Sequence, residues 1–337
     1  MASKSFIHYL RRYRSRNARM WILIATAVGS FFLLFQHRYS GIVLVELRPT
    51  SFNRTWWDAK SYPKESAFSL CSSVIPTRHN VSLTGSLKKT MEIGDGPPPV
   101  RDKLCSMSFE DLEMYYHTYL STIQRPCKRS VRMGHTMDGG WDVCGEEFKY
   151  IRNECLVYSF GIQFDFSFDD EMASVFGCEV HSFDPSMHEV DHVHNPSVYF
   201  HATGLSDYNG ISKDMAGWKM RTFKSIRKEL FHNSRTPDIL KMDIESWEWN
   251  VLPDMLKTSQ LDGVKQLLVE FHARTESRVK EYWVHKLLIL RGLYLEGYRV
   301  FWVGRNMMCT YTSPALNRTF YGCYEVSFVK VNIPGAG

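Results

Sequence analysis

Short apolar runs alternate with helix-like segments through the C-terminal half of the chain, and this alternation restricts the folds that it can form. Apolar runs of strand length lie at 155–160, 179–183, 198–203, 238–242, 264–270, 298–303 and 323–331. Helical periodicity is found at 168–177, 219–231, 247–257 and 276–291. Strands joined by helical crossovers pair in parallel, so the pattern predicts a doubly wound, mostly parallel seven-stranded α/β sheet. Pro253 is expected to kink or split the helix that contains it.

The last two strand patterns differ from the others because no helix separates them. The runs "YRVFWVG" and "CYEVSFVKV" are joined by a loop alone. Consecutive strands without a helical crossover pair antiparallel, so the sequence predicts an antiparallel C-terminal hairpin on the parallel sheet. A further helix is predicted at 107–125, and a turn-rich segment around Asp138, Gly139 and Gly140 follows it.

A basic segment followed by an uncharged run opens the chain. Six of the 41 Lys and Arg residues precede residue 20, and Met20 to Phe35 carries no charge. An apolar run of this length can bridge a thin bilayer, and the excess of positive charge would stay in the cytoplasm. We therefore expect a single-pass type II signal anchor, with a cleaved signal peptide or a buried core helix as the alternatives. The expected division is a cytoplasmic basic tail, a transmembrane helix, a lumenal stem and a folded domain, at 1–19, 20–36, 37–105 and 106–337.

Sequons and cysteines agree with a location outside the cytoplasm. Asn53, Asn80 and Asn317 each open an Asn-x-Ser/Thr triplet and are glycosylation candidates. All eight cysteines follow the anchor, and an even number in an oxidising compartment can form disulfides. Their pairing stays open from the sequence, and Cys155 and Cys178 can equally be free thiols of the core. These features predict a membrane-anchored protein of the secretory pathway, in the Golgi or the ER.

The charge distribution argues against a nucleic-acid partner. The formal net charge of +5 arises almost entirely from the N-terminal segment. Beyond residue 19, the remaining 35 Lys and Arg residues are balanced by 36 Asp and Glu residues. A nucleic-acid groove would need a clustered excess of positive charge, so no nucleic-acid binding is expected.

Residues of types that often bind ligands, such as glycine, serine, aspartate, glutamate and histidine, follow five of the predicted strands. They lie at the edge where an open α/β sheet binds its ligands. In strand order they are Ser159 with Gly161, Asp184 with Pro185, Leu205 to Asp207, Asp243 with Glu245, and Glu270 with His272. A glycine lets backbone approach a ligand closely, and an acid after the second strand can accept ribose hydroxyls. Each feature alone is also explained by turn or helix capping. Their recurrence at successive strand ends favours a cleft for a nucleotide-like cofactor.

Several of these stretches resemble one enzyme family. The segments "LKMDIESWEW", "ATGLSD" and "LLVEFH" resemble FkbM-type class I S-adenosylmethionine-dependent methyltransferases. The segments "LVYSFGIQFDFSFDDEM" and "HSFDPSM" resemble more closely the family of animal methyltransferase-like protein twenty-four. The resemblance covers roughly residues 125–330 and implies S-adenosyl-L-methionine as the cofactor. The cofactor-binding residues that it implies are Ser159, Gly161, Asp184, Pro185, Leu205, Ser206, Asp207 and Asp243.

Two positions depart from the family pattern. Ser246 stands where FkbM-type proteins usually have glycine, and the first loop carries the single glycine Gly161 where many methyltransferases have two or three. Cofactor binding with weakened turnover is therefore an open alternative, in which the fold serves as an inactive binding protein.

Methyl transfer to an oxygen requires positioning of donor and acceptor and a base that takes the acceptor's proton. Asp243 is the preferred catalytic base, and His272 and Glu245 are the further catalytic candidates. We expect O-methylation of an unidentified acceptor in the lumen or the secretory pathway. A Golgi-type glycosyltransferase is another alternative, but it would usually show Asp-x-Asp where this chain has Asp243-x-Glu245.

A histidine-rich loop lies between the second and third predicted strands, with the sequence "MHEVDHVHN". Its candidate metal ligands are His188, Asp191, His192 and His194, with His201 a little later. Such spacing can ligate a metal, but a polar loop with a histidine bias explains it equally well. No metal is therefore expected.

Overall fold

The computed structural model describes residues 31–36, 42–47, 70–71, 96–136, 139–148, 154–212, 217–273 and 279–331. The chain forms two compact units, residues 1–62 and residues 63–337. The sequons at Asn53 and Asn80 and most of the expected stem lie outside the described residues.

The described part of the first unit is a two-stranded antiparallel sheet. Strand β1 is Phe31–Gln36 and β2 is Ile42–Leu47, with Phe31 opposite Leu47 and Gln36 opposite Ile42. The expected transmembrane helix at 20–36 is therefore wrong over its last six residues, because two apolar runs of equal length pair as strands. Its first part, residues 20–30, lies outside the described residues. Across the described ranges, no helix has both the length and the apolar character needed to cross a membrane.

The second unit contains the remaining helices and strands. In chain order they are α1 Arg101–Ser106, α2 Phe109–Leu120, β3 Ser130–Met133, β4 Trp141–Cys144, β5 Leu156–Phe160, α3 Ser167–Phe176, β6 Glu179–Phe183, β7 His192–Asn195, β8 Val198–His201, β9 Gly204–Leu205, β10 Gly210–Ile211, β11 Lys219–Arg221, α4 Phe223–Glu229, β12 Ile239–Met242, α5 Glu248–Lys257, β13 Gln266–His272, α6 Lys280–Leu295, β14 Tyr298–Arg305, β15 Thr310–Ser313, β16 Arg318–Tyr321 and β17 Cys323–Lys330.

One large mixed sheet organises this unit, with strand order β14-β17-β13-β12-β5-β6-β8-β7. The central strands from β13 to β8 run parallel, while β17 is antiparallel to both of its neighbours. The expected α/β sheet and its antiparallel C-terminal hairpin are confirmed. The sheet has eight strands rather than seven, because β7 adds an antiparallel edge strand beside β8. This strand lies in the histidine-rich segment and is largely solvent-exposed, so it lacks the apolar alternation that predicts a strand.

Two predicted helices differ in detail from the structure. The region predicted as one helix at 219–231 begins as strand β11 and becomes helical only at Phe223, where the Thr222 side chain caps the helix. Helix α5 continues through Pro253 without a break. Within the described part of the second unit, three small sheets were missed, namely β3–β4, β15–β16 and the sheet of β9, β10 and β11. Their short strands carry too few residues for a period of two to stand out.

The sheet has an apolar layer on each face. Leu156, Tyr158 and Phe160 of β5 belong to the core that includes α2, α4, α5 and α6. The intervening Val157 belongs to the core of the other face, which is formed by α3 and the β3–β4 hairpin with Phe168. Burial on both faces explains why the central strands read as continuous apolar runs.

Four disulfides join neighbouring cysteines along the chain. They are Cys71–Cys105, Cys127–Cys144, Cys155–Cys178 and Cys309–Cys323. The alternative that Cys155 and Cys178 are free thiols is therefore wrong. These residues immediately precede the adjacent parallel strands β5 and β6, and the amide of Glu179 donates to the Cys155 carbonyl at 2.9 Å. Strand pairing thus brings the two sulfurs together, which spacing in the sequence does not reveal.

Candidate active site

The turn after β5 is pressed against the end of β12. Gly161 has φ +76°, and a Cβ at this position would lie 1.7 Å from the carbonyl oxygen of Asp243. The Asp243 amide donates to the Phe160 carbonyl at 3.0 Å, and the Gly161 amide donates to the Phe183 carbonyl at 2.9 Å. Glycine is required here by the chain's own backbone, not only by the approach of a ligand.

Asp184 connects the ends of β5 and β6. Its Oδ2 accepts from the Gln163 amide at 2.8 Å, and its Oδ1 accepts from both the amide and the hydroxyl of Ser186 at 2.8 and 2.6 Å. A carboxylate has about four acceptor positions, so three are used by the protein and about one is left for a ligand. Asp184 therefore shapes the loop as a turn cap would, and it retains acceptor capacity toward the cleft.

The residues after β8 divide into buried and exposed positions. Pro185 lies against this segment, since a Cβ at Gly204 would be 3.1 Å from its Cγ. Leu205 and Ser206 are buried, and the Ser206 hydroxyl donates to the carboxylate of the exposed Asp207 at 3.3 Å. Of these side chains, Asp207 is the one that faces solvent.

Ser159 points away from the strand ends. Its side chain is fully buried near Asp169 of α3 and Ser182 of β6, on the sheet face opposite to Phe160. Burial raises the pKa of Asp169 to about 7, although Lys241, Ser159 and Ser182 act in the opposite direction. Lys241 is also buried, and its ammonium donates to the Gly161 carbonyl at 3.0 Å. Ser159 thus belongs to a buried cluster below the glycine turn, and only its backbone borders the cleft.

His272 lies among four carboxylates at the end of β13. Its Nδ1 is 3.2 Å from Glu248 Oε1, which also accepts from its backbone amide at 2.7 Å. Its Nε2 lies 3.6 Å from Glu245, 3.7 Å from Glu270 and 3.9 Å from Asp243. Burial alone would lower the pKa of His272, but Glu248, Glu270 and Asp243 outweigh it and raise this pKa to about 10. These carboxylates favour the cationic form of His272, which has no free nitrogen lone pair with which to act as a base.

Glu270 is the most buried carboxyl group that faces His272 Nε2. Burial, followed by the charge of Asp243 and a hydrogen bond with it, raises the pKa of Glu270. Asn306 donates to Glu270 Oε1 at 3.3 Å. These effects favour the protonated form of Glu270, and the side chain of its neighbour Asp243 is 30% exposed. Asp243 is the carboxylate of this pair that reaches the cleft.

The residues after Asp243 adopt an unusual backbone. Glu245 has φ +55° and Ser246 has φ +77°, so two consecutive non-glycine residues are left-handed. This conformation favours glycine, so Ser246 is held in a backbone shape that residues with a side chain rarely adopt. The turn keeps a glycine-like shape although a serine occupies it.

Two groups of possible metal ligands differ in whether their ligand atoms come close together. Asp243, Glu245 and His272 place one ligand atom each within 4.8 Å of one another. The histidine-rich loop behaves differently: His194 lies 3.3 Å from Asp170 and stacks on Phe166, and Asp191 accepts from the Ala202 amide. Among the described residues, no three side chains of that loop converge as a ligand set.

Sequence reasoning missed three residues that shape the site, namely Lys241, Glu248 and Asn306. A lysine inside the apolar strand "ILKM" is a usable signal, because a buried charge needs a specific partner. Glu248 lies in the first turn of α5, where acidic residues are common because they interact favourably with the helix dipole. Its contact with His272 therefore could not be told apart from ordinary helix capping. Asn306 lies in a loop and gives no local signal.

Comparison with known proteins identifies a matching family. Residues 105–330 match a family described as "Methyltransferase domain". The chain is similar to "Probable methyltransferase-like protein 24" of Rattus norvegicus and of Homo sapiens, at 28% identity in each case. Each alignment covers 58% of this chain and 58% of the relative, so the chain spans less than two thirds of the length of these curated relatives.

Proposed function

Because the chain belongs to the methyltransferase-domain family that residues 105–330 match, we propose that it transfers a methyl group from S-adenosyl-L-methionine to an oxygen acceptor. The observation that carries the proposal is the junction of Gly161 with Asp243 beside the tethered Asp184. It puts a tight turn, an acceptor for hydroxyls and a candidate base at adjacent strand ends, where open α/β sheets bind ligands.

The cofactor would lie across the ends of β5, β6 and β8. Its sulfonium supplies the methyl group, and the protein supplies position. Asp184 retains about one acceptor position for a ribose hydroxyl. Asp207 is exposed after β9, and the exposed Tyr208 follows it with its ring 6.2 Å from that of Trp247.

Asp243 is proposed to take the acceptor's proton. The surroundings of Glu270 and His272 favour their protonated forms. The partly exposed Asp243 is therefore the neighbouring carboxylate that can accept the proton of the methyl acceptor. The imidazolium of His272 would also stabilise negative charge that develops on the acceptor oxygen. Glu248 holds that ring in place from its buried side.

The proposed compartment is the lumen of the secretory pathway. Within the described part of the chain every cysteine is in a disulfide, and disulfides persist in oxidising compartments. The proposal rests on these disulfides and not on a transmembrane helix, because the last six residues of the expected span form strand β1. The acceptor is accordingly proposed to be a lumenal or secreted molecule with a free hydroxyl.

Calorimetric titration of the full chain tests the cofactor. We expect binding of S-adenosyl-L-methionine and of its demethylated product, and none of a uridine diphosphate sugar with Mn²⁺. The reverse preference would favour a glycosyltransferase. Incubation of lumenal extract with methyl-labelled donor then tests transfer, and binding without transfer to any lumenal fraction would favour an inactive binding protein.

A further inference from the structure

We propose that Glu179, His181 and His232 bind a divalent transition-metal ion, with Zn²⁺ the best fit. Glu179 and His181 lie on β6, and His232 follows helix α4. The site is on the sheet face that carries Tyr158 and Phe223, and Glu179 begins β6 at the end opposite to Asp184. It is therefore separate from the candidate active site.

The three candidate ligand atoms already have the spacing of a metal shell. Glu179 Oε1 lies 2.9 Å from His181 Nε2 and 3.5 Å from His232 Nε2, and each of the three residues has a ligand atom within 4.8 Å of the others. Tetrahedral zinc with bonds of about 2.0–2.1 Å has ligand atoms about 3.3 Å apart. The observed distances bracket this value.

Each candidate ligand also has a second polar partner, which contacts the nitrogen or oxygen atom that would not bind the ion. His181 Nδ1 lies 2.9 Å from His201 Nε2, and His201 Nδ1 is 3.5 Å from Asp191. In metal sites the nitrogen that does not bind the ion usually donates to such a partner, which fixes the tautomer and the ring orientation. In the metal-free chain His181 Nε2 donates to Glu179 Oε1 at 2.9 Å, and coordination would place the proton on Nδ1 and replace this hydrogen bond.

The other two ligands follow the same rule. His232 Nδ1 lies 2.7 Å from the Tyr158 hydroxyl, so its Nε2 faces Glu179. Glu179 Oε2 accepts from Arg235 at 2.7 Å, while Oε1 is hydrogen-bonded to His181 Nε2 at 2.9 Å, a contact that the ion would replace. The three ligands thus have three separate outer partners, namely His201, Tyr158 and Arg235. A chance cluster of histidines would not be expected to have this arrangement.

The exposure and the ligand types suit a metal. The Glu179 side chain is 35% exposed, which gives an entry path and room for water as a fourth ligand. Two imidazoles and one carboxylate favour zinc over Mg²⁺ or Ca²⁺.

A bound ion would join β6 to the segment between α4 and β12. His232 is the only one of the three ligands outside β6, so coordination would fix this connection to the sheet. We expect zinc to raise the melting temperature of the protein, because an ion that binds the folded chain alone stabilises it.

Metal titration of the full chain, prepared without a histidine tag and treated with chelator, tests the site. Zinc binding is followed by calorimetry, and Co²⁺ is used to detect tetrahedral coordination by its visible absorption. We expect one equivalent at this site, at least a 100-fold loss of affinity in His232→Gln, and about a 10- to 100-fold loss in Tyr158→Phe, which removes only an outer partner.

Two matched variants separate this site from other candidates. His194→Gln removes a histidine of the neighbouring loop, and Glu245→Gln removes a possible ligand at the candidate active site. Both should keep the zinc affinity and the Co²⁺ spectrum. The proposal is overturned if the wild type binds no zinc at micromolar concentration, if His232→Gln binds as tightly as the wild type, or if the loss occurs in Glu245→Gln instead. Far-ultraviolet circular dichroism of the metal-free variants checks that each is folded.

Discussion

The carbonyl oxygen of Asp243 lies 1.7 Å from the point that a Cβ at Gly161 would occupy. The backbone of the first loop therefore packs directly against the backbone of the candidate base, with no room for a side chain at position 161. The contact is between backbone atoms of two strand ends, so side-chain flexibility cannot relieve it.

Gly161→Ala should destabilise the protein and impair the site together. The new methyl group meets a backbone oxygen, and φ +76° is a left-handed conformation that alanine rarely adopts. We expect a loss of at least about 2 kcal/mol in the free energy of unfolding, from strain and overpacking. Denaturant unfolding measures it. Gly210→Ala is the control, because its Cβ would have ordinary contacts at 3.7 Å with Tyr208. Equal stability of the two variants would contradict the contact.

Asp184→Ala should weaken binding of S-adenosyl-L-methionine by about 1.5–3 kcal/mol, the scale of hydrogen bonds to a charged group. The variant also releases the amides of Gln163 and Ser186, so it should lose stability as well as affinity. Calorimetry and thermal unfolding measure the two effects. Ser186→Ala removes the hydroxyl contact but keeps the carboxylate, and it should bind the cofactor within a few-fold of the wild type. Unchanged affinity in a folded Asp184→Ala would remove Asp184 from the cofactor site.

Asp243→Asn should keep cofactor binding within a few-fold and lower turnover by about 10²–10⁴, the usual contribution of a general base. Asparagine is nearly isosteric but cannot take the acceptor's proton. Glu245→Gln should have a smaller effect, because that side chain is 59% exposed. Single-turnover assays with labelled donor measure both. Full activity of Asp243→Asn would mean that another group takes the proton.

The pH dependence of stability should include a contribution from His117. Burial, with a further effect of Arg318, lowers the pKa of His117 to about 3, below its ordinary value of about 6.5. A lowered histidine pKa stabilises the fold above about pH 6.5, and this contribution is lost as the pH falls toward 3. His117→Gln should therefore flatten the decline in unfolding free energy between these values. Denaturant unfolding across this pH range measures the decline, and an equal decline in the wild type and in His117→Gln would contradict the prediction.

Asn317 should carry a glycan when the chain is expressed in animal cells. It is exposed in the turn between β15 and β16, where an oligosaccharide would meet no packed surface. Asn317→Gln should increase electrophoretic mobility, and glycosidase treatment should abolish the difference. A mobility equal to that of the wild type would argue against glycosylation at Asn317.

Much of the sheet was predictable because its central strands are buried on both faces. Their apolar runs, such as Leu156–Phe160, are strong local signals, and the helices between them impose parallel pairing. The edge strand β7 and the hairpins β3–β4 and β15–β16 were missed, since they are short and partly exposed. The last six residues of the expected helix at 20–36 form strand β1 instead. This strand exists through its pairing with β2, and such a contact between separate segments is not visible in the local pattern.

The chain order of residues determined which side chains meet at the strand ends, because parallel strands place their carboxyl ends at one edge. Gly161, Asp184, Asp243 and His272 could therefore be named from the sequence. Only the tertiary structure decided what each can do. Ser159 faces the opposite side of the sheet, and Glu248 reaches His272 from the first turn of α5. The raised pKa of His272 depends on Glu248, Glu270 and Asp243, which come from two segments of the chain, and such electrostatic effects are set by distance and burial rather than by order along the chain.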